Sequence, residues 1–210
     1  MTDKLYLKAL RVPTDEDPLR ILVSACLLGT LCGYDGSAYG EYPGVLKLLH
    51  YPTVKLIKFC PENHSFGTPR EMCDIHGGTG FDVLDGKAKV LTESGIDWSE
   101  GMIKASEEML KVAQANDLEL AIMMDVSAAC GSQVIYDGNR FGAKKAYQIG
   151  AGVAAAQLMR AGFKVISQRD YASLEILYLK INSTHQVDTK AKDHHETDWY
   201  KEYFKLSLSN

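Results

Sequence analysis

With 210 residues, 46% of them hydrophobic and 24% charged, the chain has the size and composition of one folded domain that buries its core without disulfides. A formal charge of −4 excludes a surface built for the phosphate backbone of duplex nucleic acid, although it leaves room for a local pocket holding one nucleotide. No apolar run reaches the roughly 18 residues of a membrane span, and the first residues lack the apolar stretch of a secretory signal. The expectation is a cytoplasmic protein with no membrane and no nucleic acid polymer among its partners, and with no obligate protein partner implied.

Residues 1–19 mix apolar and acidic residues with Pro13 and Pro18 and read as an N-terminal extension. The core opens at Arg20 with RILVSACL, a continuous apolar run of the kind buried on both faces of a parallel sheet. CGYDGSAYGEYPG is loop, VLKLLH a short helix, and TVKLIKFC a second strand that also ends in cysteine. PENHSFGTPREMCDIHGGTG is expected to be a long functional loop, and FDVLDGKAKVLT a β-hairpin turning at Asp85-Gly86.

Asp97 and Glu100 resemble a capping pair for a helix whose face repeats Met102, Ala105, Met109 and Val112 and which ends near Asn116. LELAIMMDV is a third strand, and SAACGSQVIYDGNRFGAKKAYQ a loop after it. GAGVAAAQLMRAG is an Ala-rich helix stopped by Gly162, FKVIS a fourth strand, and DYASLEILYLKIN a closing helix with Asp170 at its N-cap. Residues 182–210, polar and then aromatic, read as a C-terminal extension that docks as a helix; His185, His194 and His195 within it are expected to be solvated.

Strands alternate with helices over residues 20–181, which predicts an α/β domain: a Rossmann-like three-layer fold with a mainly parallel sheet, an inserted β-hairpin and terminal extensions. Ligands of such sheets bind beyond the carboxyl ends of the strands. Cys26 and Cys60 lie at two of those ends, and Cys130 follows Asp125 at a third. Thiolates converging there would suit a soft metal centre of iron–sulfur, zinc or copper(I), while cysteines in strands are also ordinary core residues. Glu62 after Pro61 is either a solvated loop carboxylate or a functional one, and Ser127 either a turn former or a donor. The repeated Tyr-Asp-Gly at Tyr34 and Tyr136 is read as turn chemistry. GAGVAAA offers a phosphate the amides of a helix start, or reflects close packing, and Arg70 either pairs with an anionic substrate or anchors its loop.

Taken in order, VSACLLG, YDG, FCPE, TPR, SAACGS, IYDG and GAGVAAAQLMRAGFKVIS resemble the motif series of the thiouracil desulfidase family over about residues 20–168. The resemblance implies a 4Fe-4S cluster with three Cys ligands, Cys26, Cys60 and Cys130, and one open iron, with Cys32 and Cys73 outside the ligand set. It implies Glu62 and Ser127 as the catalytic pair. The implied activity is a non-redox desulfidase that removes sulfur from a small-molecule thiocarbonyl substrate, a thiolated pyrimidine such as 2-thiouracil or a 4-thiouridine nucleotide.

The chain departs from the family pattern in three places: Gly33 stands where it has arginine, Ala128-Ala129 where it has Pro-Ser, and His64-Ser65-Phe66 where it has Gly-Gly-Leu. Two alternatives accompany this reading. One is a non-enzymatic metal-binding or sensor protein; the other is a cysteine-nucleophile enzyme, which needs a base near a thiol and for which His64 and His76 are the loop candidates.

Overall fold

The structure is a computed structural model and describes residues 3–38, 40, 42–138, 140 and 145–205. In its first half the elements are α1 (Lys4–Ala9), β1 (Leu19–Ser24), α2 (Pro43–Leu46), β2 (Val54–Phe59), α3 (Pro61–Phe66), β3 (Cys73–His76), α4 (Gly80–Leu84) and β4 (Lys89–Thr92). The second half contains α5 (Ser99–Ala115), β5 (Leu120–Met123), β6 (Val134–Tyr136), β7 (Tyr147–Ile149), α6 (Val153–Arg160), β8 (Val165–Ser167), α7 (Tyr171–Ile181) and α8 (Asp198–Tyr203).

Four strands form the central sheet in the order β2-β1-β5-β8, all parallel. The register pairs Leu19 with Val54 and Ser24 with Phe59 on one side of β1, and Ile21 with Leu120 on the other. Chain direction across the sheet reverses between β1 and β5, so the crevice beyond their carboxyl ends is the place where such folds bind ligands. The alternation of side chains along β1 builds two cores. Leu22, with Ala121 and Met123 of β5, packs against Met102 and Met109 of α5 and the Ala-rich face of α6. Ile21 and Val23, with Leu120 and Ile122, pack against Leu7 of α1, Leu27, Leu48 and Leu174. The α/β three-layer expectation is met.

Helix α5 buries Met102, Ala105 and Met109 as its periodicity predicts, with Ala113 rather than Val112 completing the buried stripe. Trp98 occupies its N-cap position, and Asp97 accepts the Ser99 N–H at 3.0 Å. Close packing explains Gly101: an added Cβ would lie 2.6 Å from the Phe66 ring, which stacks on Trp98 at 4.0 Å between centroids.

Several expectations need correction. FDVL is helix α4, because Thr79 and Asp82 form a capping box at its start. The inserted antiparallel pair is instead β3 with β4, joining Cys73 to Thr92 and His76 to Lys89. The long loop after Cys60 begins with helix α3, started by Pro61 at its first position. The segment after Ser127 contains a second antiparallel pair, β6 with β7. The C-terminal residues dock as expected, through α8, but His194 is buried rather than solvated: its Nδ1 lies 2.7 Å from Asp125 Oδ2 and its ring stacks on Trp199. His185 is also engaged, 2.8 Å from Glu175. Among the described residues no helix is long and apolar enough to cross a membrane.

Candidate active site

Three chain segments deliver thiols to the carboxyl edge of the sheet. Cys26 lies in a 3-10 turn, Ala25–Leu28, directly after β1; Leu27 and Leu28 anchor the turn in the core and Gly29, at φ +80°, closes it. Cys60 ends β2 and caps α3, its Sγ accepting the Asn63 N–H at 3.4 Å. Cys130 lies in a tight turn after β5 in which the Gly131 N–H donates to the Ser127 carbonyl at 2.9 Å.

The start of α6 fixes that last turn. Val153 and Ala154 donate their N–H groups to the carbonyls of Ala128 and Ala129, at 2.8 and 2.9 Å, and Gly152 donates to that of Gly131 at 2.8 Å. A Cβ on Gly152 would lie 2.6 Å from the Ala129 carbonyl carbon. The amides of GAGVAAA therefore hold the Cys130 turn rather than a phosphate. Val126, which begins the turn, has φ +59°, a conformation costly for a β-branched residue and found where surroundings enforce it.

One cavity of about 100 Å³ is lined by all five cysteines together with Glu62, Ser127, Arg70 and Arg140. Each of the five site residues expected from the sequence is brought into it. The Ser127 hydroxyl accepts the N–H groups of Ala129 and Cys130 at 3.2 and 3.1 Å and lies 3.2 Å from Glu62 Oε1, to which it donates. Arg70 Nη2 donates to Glu62 Oε2 at 2.8 Å. Its Nη1 donates to the Cys32 and Gly67 carbonyls, at 3.0 and 2.9 Å. The Arg70 side chain is 4% exposed, and it stays charged because the Glu62 carboxylate outweighs the effect of burial.

Arg70 anchors its loop, as one of its two readings had it; its pairing with Glu62 was not foreseen, and it supplies positive charge in the cavity although position 33 is glycine. Gly33 sits in a turn where a Cβ would lie 2.9 Å from the Ser37 carbonyl oxygen. Also unforeseen were Arg140, bound through Nε to Asp74 at 2.9 Å, and the proximity of Cys32 to the other thiols. The imidazoles of His64 and His76 are not among the groups lining the cavity: His64 is exposed and rests against Phe59. A cysteine nucleophile there lacks the base that His64 or His76 would have to provide. The first Tyr-Asp-Gly is a turn, with Gly36 at φ +83°; the second is instead the end of β6, where Asp137 donates its N–H to the Ala146 carbonyl and Gly138, at φ +70°, follows.

Four of these thiols, Cys32, Cys60, Cys73 and Cys130, are held in their neutral form. A hydrogen bond with Cys26 raises the Cys32 pKa to about 11, and a hydrogen bond with Cys32 together with burial raises that of Cys60. Burial raises Cys73 and Cys130 well above the ordinary thiol value. A metal loading here displaces protons from sulfur. The spacing also discriminates between metals. One tetrahedral zinc requires its sulfurs about 3.8 Å apart, yet among the described residues no three thiols lie within 4.8 Å of one another. Soft donors spread around an open cavity fit a cluster with several irons better than a single ion.

A model of the family described as 2-thiouracil desulfurase matches residues 21–170. The uncharacterized protein YbbK of Bacillus subtilis (strain 168) is 41% identical over 151 residues, covering 71% of this chain and 96% of its own. Among solved structures, the 4Fe-4S-dependent thiouracil desulfidase TudS is similar with a TM-score of 0.60 and 30% identity, over 76% of this chain and 97% of its own. These matches cover the sheet, the three thiol-bearing turns and the Glu62 helix, and the chain belongs to the 2-thiouracil desulfurase family.

Proposed function

We propose that this chain is a desulfidase that replaces the sulfur of a thiolated pyrimidine by oxygen without net redox change, using a 4Fe-4S cluster held by Cys26, Cys60 and Cys130. The observation that carries the reading is the meeting of those thiols with Glu62 in one cavity at the switch point of a sheet whose family is named for this chemistry. Bound by three thiolates, such a cluster supplies a soft Lewis-acidic iron suited to a thiocarbonyl sulfur.

The protein residues supply the proton chemistry. Glu62, oriented by Arg70, accepts a proton from the water that adds to the ring carbon bearing sulfur. Ser127 is fixed by two backbone N–H groups, so its hydroxyl proton points to Glu62 Oε1 and offers a path by which the proton is returned to the departing sulfur or the ring. The balance is one thiocarbonyl and one water giving one carbonyl and hydrogen sulfide, with no electrons exchanged.

Anaerobic purification followed by iron and acid-labile sulfide analysis tests the cofactor, and sulfide release from 2-thiouracil or 4-thiouridine 5′-monophosphate tests the reaction. Iron-loaded protein without sulfide release would favour a metal-binding or sensor role. A colourless protein that cannot be reconstituted would end the cluster assignment.

A further inference from the structure

Two Val-Ser-Ala runs lead to cysteines of this cavity, and the chemistry above uses only the second serine, Ser127. Ser24, in the first run, ends β1 two residues before Cys26 and is 1% exposed. Pairing between β1 and β5 stops at Val23 with Ile122; beyond it the Met124 N–H goes to a side chain, Ser24 Oγ, at 3.0 Å. That bond fixes the hydroxyl where the two strands part, among the groups lining the thiol compartment.

A serine oxygen that accepts an N–H retains a proton to donate. The Cys130 sulfur takes it: Ser24 hydrogen-bonds this thiol and favours its charged form, against burial and the negative charge of Cys60 and Glu62. Satisfying Met124 requires an acceptor at position 24 but not a donor, so the demands of the fold explain half of what this hydroxyl does. Ser127 is engaged differently: its oxygen accepts the Cys130 N–H, and its proton goes to Glu62.

We propose that Ser24 is a positioning residue for the metal centre, its hydroxyl donating a hydrogen bond to the Cys130 thiolate and withdrawing electron density from that sulfur. The proposal rests on the cluster assignment above. A thiolate that accepts a hydrogen bond gives less charge to its iron, which favours the reduced state and makes the iron a stronger acceptor for a thiocarbonyl sulfur. Ser24 thus acts on the reaction through Cys130, without touching the substrate.

Reductive titration of the anaerobically reconstituted protein, followed by electron paramagnetic resonance, reads this bond without turnover. Ser24→Ala should keep its iron and acid-labile sulfide and become at least tenfold harder to reduce, a shift of about 59 mV to lower potential for one electron. Ser24→Thr, which keeps the hydroxyl, should return the potential toward the wild-type value. A serine that only completes the fold would move the melting temperature and leave the potential alone. If alanine lowers cluster occupancy, the potential is read on the loaded fraction of Ser24→Thr and Ser24→Val, which match in shape and differ in the hydroxyl; equal potentials in that pair overturn the proposal. A loaded alanine variant at the wild-type potential overturns the role of Ser24 and leaves the desulfidase reading standing. Wild-type protein that takes up neither iron nor sulfide overturns both.

Discussion

Glu62 and Ser127 stand 65 positions apart in the chain and share a 3.2 Å hydrogen bond, made possible because α3 and the turn after β5 open onto the same edge of the sheet. Glu62→Gln preserves the shape and the hydrogen bond but removes the base. Iron and sulfide content are expected to stay unchanged while the turnover rate falls by about 10²–10⁴-fold. Single-turnover sulfide release on loaded protein checks this, and retained turnover would remove Glu62 from the chemistry.

Arg70 holds the other oxygen of that carboxylate, two acceptors of its own loop, the Gly67 carbonyl and the Thr68 hydroxyl, and the Cys32 carbonyl of the loop after β1. Arg70→Ala leaves Glu62 without its counter-charge and takes a donor from the Cys32 and Gly67 carbonyls. The cost in unfolding free energy is expected to be about 3 kcal/mol, read from urea denaturation of the cluster-free protein.

Loading of the thiols should depend on pH with a definite sign. Because Cys60 and Cys130 are held protonated in the metal-free protein, each proton displaced makes iron uptake stronger as pH rises between 6 and 8. Cys130→Ser is expected to abolish iron retention, whereas Cys73→Ser, altering a thiol of the inserted strand pair, should keep it. Iron analysis after desalting distinguishes the two.

Gly152 gives a steric prediction. A methyl group there meets the Ala129 backbone at 2.6 Å and must push the Cys130 turn away from α6. Gly152→Ala should cost about 1–3 kcal/mol and lower cluster occupancy, measured by thermal unfolding and iron content on the same samples.

Asp125 sets a stability window. Burial alone would raise its pKa, but the His194 hydrogen bond and charge and the backbone N–H groups prevail and lower it below 3.8. Its contribution is therefore complete above the unfolded carboxylate value and is lost as pH falls through the lower folded value. The stability gap between the wild-type chain and Asp125→Asn should narrow as pH falls below about 3.8, as followed by urea denaturation from pH 5 downward.

The central strands were legible because β1 and β5 are rich in apolar residues and β2 interrupts its apolar residues only with Lys55 and Lys58, and their ends placed Cys26, Cys60 and Cys130 at one edge before any coordinates. Helix α3 was hidden because Pro61, with Gly67 and Pro69 after it, resembles loop, although proline also starts helices. Helix α4 was hidden because Asp85-Gly86 is as good a helix stop as a hairpin turn. The burial of His194 depends on a partner 69 residues away, and the pairing of Arg70 with Glu62 on how two loops fold toward each other. Neither leaves a local pattern. The ligand spacing needed side chains in place, since sequence separation does not limit how far apart the sulfurs lie.

The docking of both chain ends bears on what can be cut away. Leu7 closes the core under β1, and His194 hydrogen-bonds a carboxylate that collects the amides just after Cys130, yet both lie outside residues 21–170. Trimmed to the portion it shares with its relatives, this polypeptide would uncover an oily groove and strand an anion in the interior beside the sulfur-bearing turn. Its flanking segments act as shoring for the reaction chamber, and any attempt to miniaturise the molecule has to replace them.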